Sequence, residues 1–448
     1  MLMGLFLCLI LLILLGINYI IFNRDYIAPS FIFNAALCVA AMDCTFNLYK
    51  WDTGLSGNTV FVICLSVFSF LLFSVLAQWL YKNSRTKVRF NKYAKKMEEI
   101  RPSYYKCSKI FCSVFLVIQI IVALLVINQI YFLTTKYVSN GNIAASIAMY
   151  QHLIKNTTLE LKFPKLITYF FLFTTASGYI WGYIIVYNFC YFKKIDRLVV
   201  MNFVVSCASG ILTGSRGNSL QMFVSIIIIY IIILNKNQLS KAKKFKTLVK
   251  ILLILVVLLL LFETIAGLIG RDNSLALNDY LSVYIGAPIK NLDIFLETGY
   301  KRNDLWGGDT FQTQIQWVSE KVGWIIEKKT INVEYTYLNG YNLGNVYTAF
   351  KDYYNDFGYV GIIFCNGFIA FFLQYLYEKI KMKKFIYRNT MSVSFELLIY
   401  AYLFFAMAFT FFSNKFYEAI TITFVERIFF WWVLVKAMSI LKKIHFRL

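Results

Sequence analysis

The chain has 448 residues, 59% hydrophobic and only 15% charged, with a mean hydropathy of +0.62. That balance excludes an ordinary soluble domain and reads as a polytopic membrane protein. The net charge of +22 raises nucleic acid as a partner, but the charge sits in short loops between apolar runs, which argues against that class.

Eleven runs have the roughly 20 apolar residues needed to cross the hydrocarbon core. They lie at 3–22, 28–46, 59–81, 110–133, 166–190, 198–214, 219–235, 249–269, 357–378, 391–412 and 418–440. The fold class expected is all-α, an integral membrane protein of about eleven transmembrane helices with one large extracytoplasmic loop. The first run lacks a basic leader and a small-residue cleavage site, so it is read as a span. The domains expected are 1–269 with the first eight spans, 270–356 as the outer loop, and 357–448 with the last three spans and a tail.

Alternate loops differ in Lys and Arg. The set 23–27, 82–109, 191–197, 236–248, 379–390 and the C-terminal tail is short and basic, whereas the other set is poorer and owes much of its charge to the long 270–356 segment. The first set is therefore read as cytoplasmic, with the N-terminus outside and the C-terminus inside. The long outer segment is crowded with tyrosine and tryptophan, including Trp306, Tyr347, Tyr353 and Tyr354. A loop of this length carries structure of its own, and short helices on the membrane surface are expected. The nine cysteines show no CxxC or metal-like spacing. Cys8, Cys38, Cys64, Cys190, Cys207 and Cys365 lie in apolar runs and read as small hydrophobes.

In chain order, His152 is the histidine predicted outside, an ordinary surface residue or a candidate base. Gly178 and Gly182 form a GxxxG and read as helix packing. "LTGSRGNS", Leu212 to Ser219, then joins two apolar runs in a tight hairpin. Arg216 falls at the N-terminus of the second helix, where free N–H groups and the positive helix end already favour an anion. Gly214 and Gly217 would let backbone approach closely, Ser215 and Asn218 add donors, and the arginine fork suits phosphate oxygens. An interfacial anchor beside an ordinary glycine turn is the alternative.

"GLIGRDNS", Gly267 to Ser274, places Arg271 at the same predicted face. Two nearby cations are costly at low dielectric unless an anion bridges them, and a diphosphate would do so. Asp272 beside Arg271 is the competing partner. Further on, "YNLGNVYTAFKDYYNDFGYVG", Tyr341 to Gly361, gathers Asn345, Tyr347, Tyr353, Tyr354, Asp352 and Asp356. Aromatic faces with amides and carboxylates suit a carbohydrate, and an aromatic interfacial belt with acidic helix caps is the alternative. Glu396, Glu426 and Arg427 fall in the last two spans, where ionisable residues pair with other helices or mark an ion path. The chain has no Walker A loop, no HExxH and no Asp-x-Asp pair, so no cofactor and no metal are expected.

These motifs, "TGSRGNS" at 213–219, "GLIGRD" at 267–272, "YIGAPIKNLD" at 284–293 and "GNVYTAFKDYYNDFGYVG" at 344–361, resemble the oligosaccharide repeat unit polymerases, the Wzy-type O-antigen or capsule polymerases. The resemblance implies a glycosyltransferase on the outer face of the bacterial cytoplasmic (inner) membrane. It would move a growing glycan from one undecaprenyl diphosphate carrier to a new lipid-linked repeat unit, without a metal. Its partners would be the undecaprenyl-diphosphate-linked donor and acceptor, membrane lipids, a chain-length regulator and a flippase. By that pattern Arg216 and Arg271 would bind the diphosphate and act in catalysis. A related ligase group uses a histidine of the large loop as base, and 270–356 contains none, so Asp352 or Asp356 takes that place, with Glu334 or His152 behind. An O-antigen ligase and, in another class, a lipid-linked oligosaccharide flippase are the rival functions.

Overall fold

The computed structural model describes residues 1–89, 103–138, 142–159, 161–236, 277–298, 305–324, 335–382 and 393–445. Most of them are helical, and seven helices are long and apolar enough to cross a membrane. These are α1 (Leu2–Ile21), α2 (Pro29–Lys50), α3 (Gly57–Arg89), α4 (Lys109–Thr134), α6 (Lys165–Phe192), α8 (Gly217–Lys236) and α12 (Ala349–Met382). Two of the expected spans are shorter helices, 198–214 being the 15-residue α7 (Arg197–Ile211) and 391–412 the 14-residue α13 (Phe395–Ala408), and the expected span 249–269 lies outside the described residues. The last expected span resolves into α14 (Lys415–Ala419) and the 24-residue α15 (Ile422–His445). The remaining helices are α5 (Ile143–Asn156), α9 (Leu277–Ile285), α10 (Ala287–Thr298) and α11 (Gln312–Val322).

The chain divides into two units. The first holds Met1–Tyr93, Ser274–Met382 and Leu403–Thr421. Its frame is α3 packed along α12, with α1 and α2 beside them. The α1–α2 connection is set by local chemistry. Asn23 and Arg24 adopt left-handed φ of 56° and 61°, Asp25 accepts from the Ile27 amide at 3.2 Å, and Pro29 opens α2. Helices α9 and α10 pack on α2 and α3, so the described part of 270–356 belongs to this unit rather than standing apart. It also contains, besides the short helices expected, an antiparallel hairpin of β1 (Tyr337–Leu338) and β2 (Tyr341–Asn342). Its Asn339-Gly340 turn has φ of 49° and 83°, the left-handed pair that an Asn-Gly dipeptide tolerates best. The Asn339 amide donates to the Trp51 and Asp52 carbonyls and ties the hairpin to the α2 end.

A buried ion pair anchors α10. Asp293, fully buried, accepts from the Ser56 amide (2.8 Å), Ser56 Oγ (2.7 Å), Thr59 Oγ1 (2.6 Å) and Lys290 Nζ (2.7 Å). Lys290 also donates to the Gly54 carbonyl at 2.8 Å. Burial alone would raise the Asp293 pKa, but the bonds from Lys290, Thr59 and Ser56 outweigh it and hold the carboxyl below the ordinary aspartate range. One position after Lys290, Asn291 donates to the Leu343 and Val346 carbonyls and fixes the approach to α12.

The second unit holds Ala94–Asn273, Lys383–Tyr402 and Ile422–Leu448. Its centre is α6, which packs on α4, α7, α8 and α15. Gly178 and Gly182 let α6 approach Met222 and Ile226 of α8, where a Cβ would collide. Gln119 on α4 donates to Ser177 Oγ (2.9 Å) and Ser206 Oγ (2.8 Å), linking three helices through buried hydroxyls.

Candidate functional site

The first unit opens a cleft of about 780 Å³ where α12 breaks. The break is at Gly358, whose φ of 62° and ψ of −149° interrupt the helix in a region that only glycine enters without strain. Gly361 completes it, because a Cβ there would run into the Tyr353 carbonyl and the Phe357 side chain. The expected span at 357–378 therefore begins at this break, and the residues before it, from Ala349, form a separate helical arm. Trp306, Phe311, Tyr354, Asp356 and Phe357 line the cleft. Trp306 meets Phe357 edge to face at 4.9 Å, and its side chain remains 74% exposed.

Asp356 is 2% exposed, and its carboxylate is committed. It accepts from the Asp309 amide through both oxygens (3.2 and 3.1 Å) and from the Thr310 amide (2.6 Å). These N–H groups belong to the turn that leads into α11. The turn needs Gly307 in left-handed conformation, at φ 79°. Asn355 adds a bond to Asp309 Oδ2 at 2.6 Å, and Asn414 accepts from the Tyr353 hydroxyl (3.2 Å) while donating to the Thr310 carbonyl (2.9 Å). Asp356 thus fixes the wall that carries Trp306 and Phe311.

Asp352, one turn earlier, is freer. Its side chain is 24% exposed, with Lys351 Nζ at 3.8 Å. Lys351 in turn lies over the rings of Tyr347 (5.1 Å) and Phe295 (5.7 Å). The Tyr347 hydroxyl meets Thr336 Oγ1 at 3.0 Å, and Asn345 and Tyr354 are half-buried. Tyr353, expected to touch glycan, has no exposed surface. Its ring packs edge to face on Tyr417 at 5.7 Å, so it belongs to the core beneath the cleft.

The other predicted cluster lies in the second unit, at the α7–α8 hairpin. Arg216 immediately precedes α8 and is 6% exposed, with its carbonyl accepting from the Leu220 amide at 3.0 Å. Gly214 has φ 73°, and a Cβ there would lie 3.0 Å from Gln151 Cβ and 3.2 Å from the Ile147 carbonyl of α5. Its requirement for glycine comes from that left-handed φ and from packing against α5. Gly217 has open space, the nearest atom being Ser215 Oγ at 3.8 Å. Gly217 and Asn218 are exposed and Ser215 is half-buried. Ser219 donates to the Cys207 carbonyl of α7 at 2.6 Å. Arg271 and Glu334 lie outside the described residues, and His152 is exposed on α5.

Sequence reasoning missed the Asp309–Asn355–Asp356 wall and the part played by Trp306. "GGDT" at 307–310 carries a turn signal, but nothing local couples it to a carboxylate 46 residues away. Compared with known proteins, the chain matches no family model, no curated protein and no solved structure.

Proposed function

We propose that this membrane protein polymerises lipid-linked oligosaccharide repeat units, with the cleft at the α12 break holding the glycan. The observation that carries this reading is a broad aromatic cleft, floored by a fixed carboxylate, at the end of an apolar helix. Ring faces on Trp306, Phe311 and Phe357 suit the C–H faces of sugars, and the Tyr354 hydroxyl and nearby carboxylates suit their hydroxyls.

In this scheme eleven spans cross the bacterial inner membrane, the N-terminus is outside, and 270–356 faces out. The donor carries a diphosphate at its anomeric carbon. The acceptor hydroxyl attacks that carbon, the bond to the diphosphate oxygen breaks, and the leaving diphosphate takes the electron pair. The sequence resemblance alone assigns Arg216 and Arg271 to stabilising the charge that develops on it. Asp352 accepts the acceptor's proton, because its carboxylate is partly open whereas that of Asp356 is occupied by two amides. Asp356 is assigned to positioning.

The test uses purified protein in liposomes with synthetic lipid-linked repeat units. Products longer than one repeat support the reading. Glycan moved across the bilayer at unchanged length points to a flippase, and glycan passed only to a different lipid acceptor points to a ligase; either outcome overturns it.

A further inference from the structure

The second unit holds a cation that the scheme above does not use. Arg427 lies on α15, five residues after its start, on the face shared with Phe424, Trp431 and Leu434, which are all buried. That face turns inward, where an ionisable residue of a membrane bundle is expensive without a partner. The guanidinium carbon sits 5.6 Å from the Tyr179 ring centre and 5.4 Å from that of Tyr402. Both rings are held. Tyr402 stacks on Phe424 at 5.0 Å, Tyr179 packs on Trp431 at 5.5 Å, and Trp431 Nε1 donates to the Ala176 carbonyl at 2.9 Å. Gln221 and Ser225 of α8 bond the Tyr402 and Ala401 carbonyls and fix the backbone behind the second ring.

Aromatic faces satisfy the charge of a guanidinium but not its in-plane N–H groups. Arg427 Nε is buried and lacks an acceptor. No ion pair of Arg427 occurs among the described residues, and its neighbour Glu426 projects about 100° away around the helix. The side chain nonetheless remains partly exposed, so a ligand can reach it.

The geometry points to a phosphate-binding site at Arg427, in which the tyrosines hold the arginine in place and its terminal Nη groups receive the oxygens of a lipid-borne phosphate. Charge-assisted bonds to a planar fork give this chemistry its strength and its preference for arginine. Either a polyprenyl diphosphate or an anionic phospholipid headgroup supplies it. The site is independent of the polymerase reading, because binding is measured without glycan transfer and with Arg216 and Arg271 removed.

The experiment titrates geranylgeranyl diphosphate into the full chain carrying Arg216→Ala/Arg271→Ala, the parent for this test, in phosphatidylcholine nanodiscs, by calorimetry. Arg427→Gln is expected to raise Kd at least tenfold, and Arg427→Lys several-fold because the charge is kept and the fork lost. Repeating the titration in nanodiscs containing phosphatidylglycerol separates the sources. Weakened apparent binding shows that headgroup phosphate competes at the site, and unchanged binding assigns it to the diphosphate; both support it. Parental affinity after adding Arg427→Gln, or no binding by the parent, overturns it. Should Arg427→Gln melt below the parent, Arg427→Lys and Tyr402→Leu carry the test, and parental affinity in both overturns the site equally.

Discussion

Removing one partner of the Lys290–Asp293 pair should be among the most damaging single changes in the first unit. Asp293→Ala strips four hydrogen bonds from the α10 anchor and leaves the Lys290 ammonium, 4% exposed, with the Gly54 carbonyl alone. Breaking a buried pair in this way costs about 3–5 kcal/mol. At about 2–4 °C per kcal/mol for a body of 150–250 residues, the melting temperature should fall by roughly 6–20 °C. The double variant Lys290→Met/Asp293→Leu should recover much of the loss, because neither charge is then stranded. The pH dependence follows from the depressed Asp293 pKa. The carboxylate's contribution is complete above the unfolded aspartate pKa of about 3.9 and is lost as pH falls through the lower folded value. The gap between wild type and Asp293→Asn should therefore be constant from neutral pH to about 5 and close below about 4. Thermal melts of detergent-solubilised protein, at one scan rate because unfolding of such proteins is often irreversible, measure both. An Asp293→Ala variant that melts with the wild type would refute the claim that this pair anchors α10.

Other predictions concern the two predicted clusters. Gly214→Ala meets both a left-handed φ and the Gln151 side chain and should lower the melting temperature, while Gly217→Ala, with open space, should leave it within about 0.5 kcal/mol of wild type. Asp356→Ala leaves the Asp309 and Thr310 amides without their acceptor and should cost about 1.5–3 kcal/mol. Asp352→Asn should melt normally and shorten the glycan products, and the reverse pattern would exchange the roles given to the two carboxylates. Trp306→Ala removes an exposed ring and should weaken glycan binding in a lipid-linked repeat titration with no change in melting.

The apolar helices were legible because membrane insertion is written in composition and length, and seven survive as long apolar helices. The Gly178/Gly182 pair reads correctly because close helix packing needs small residues at that spacing. The 212–219 hairpin was legible as a turn, but the reason for Gly214 was not: the atoms that crowd it come from α5, more than 60 positions earlier. The same limit hides the site wall. Asp356 reaches Thr310 across 46 residues and Asp293 reaches Ser56 across 237, separations that no local pattern encodes. The aromatic richness of 341–361 did not tell the buried Tyr353 from the cleft-lining Tyr354, neighbours that point to different sides of the helical arm before Gly358. The Asn339-Gly340 hairpin had a clear local signal, overridden by the expectation of helices alone.

The central claim is that the aromatic cleft at the α12 break holds sugar while glycan is lengthened. Liposomes containing the pure protein and synthetic lipid-linked repeats test it in one gel. A ladder of products is expected with the wild type and single repeats with Trp306→Ala/Tyr354→Ala, the double variant being as stable as its parent. A wild-type lane that never exceeds one repeat, or a double variant that builds the same ladder, contradicts it.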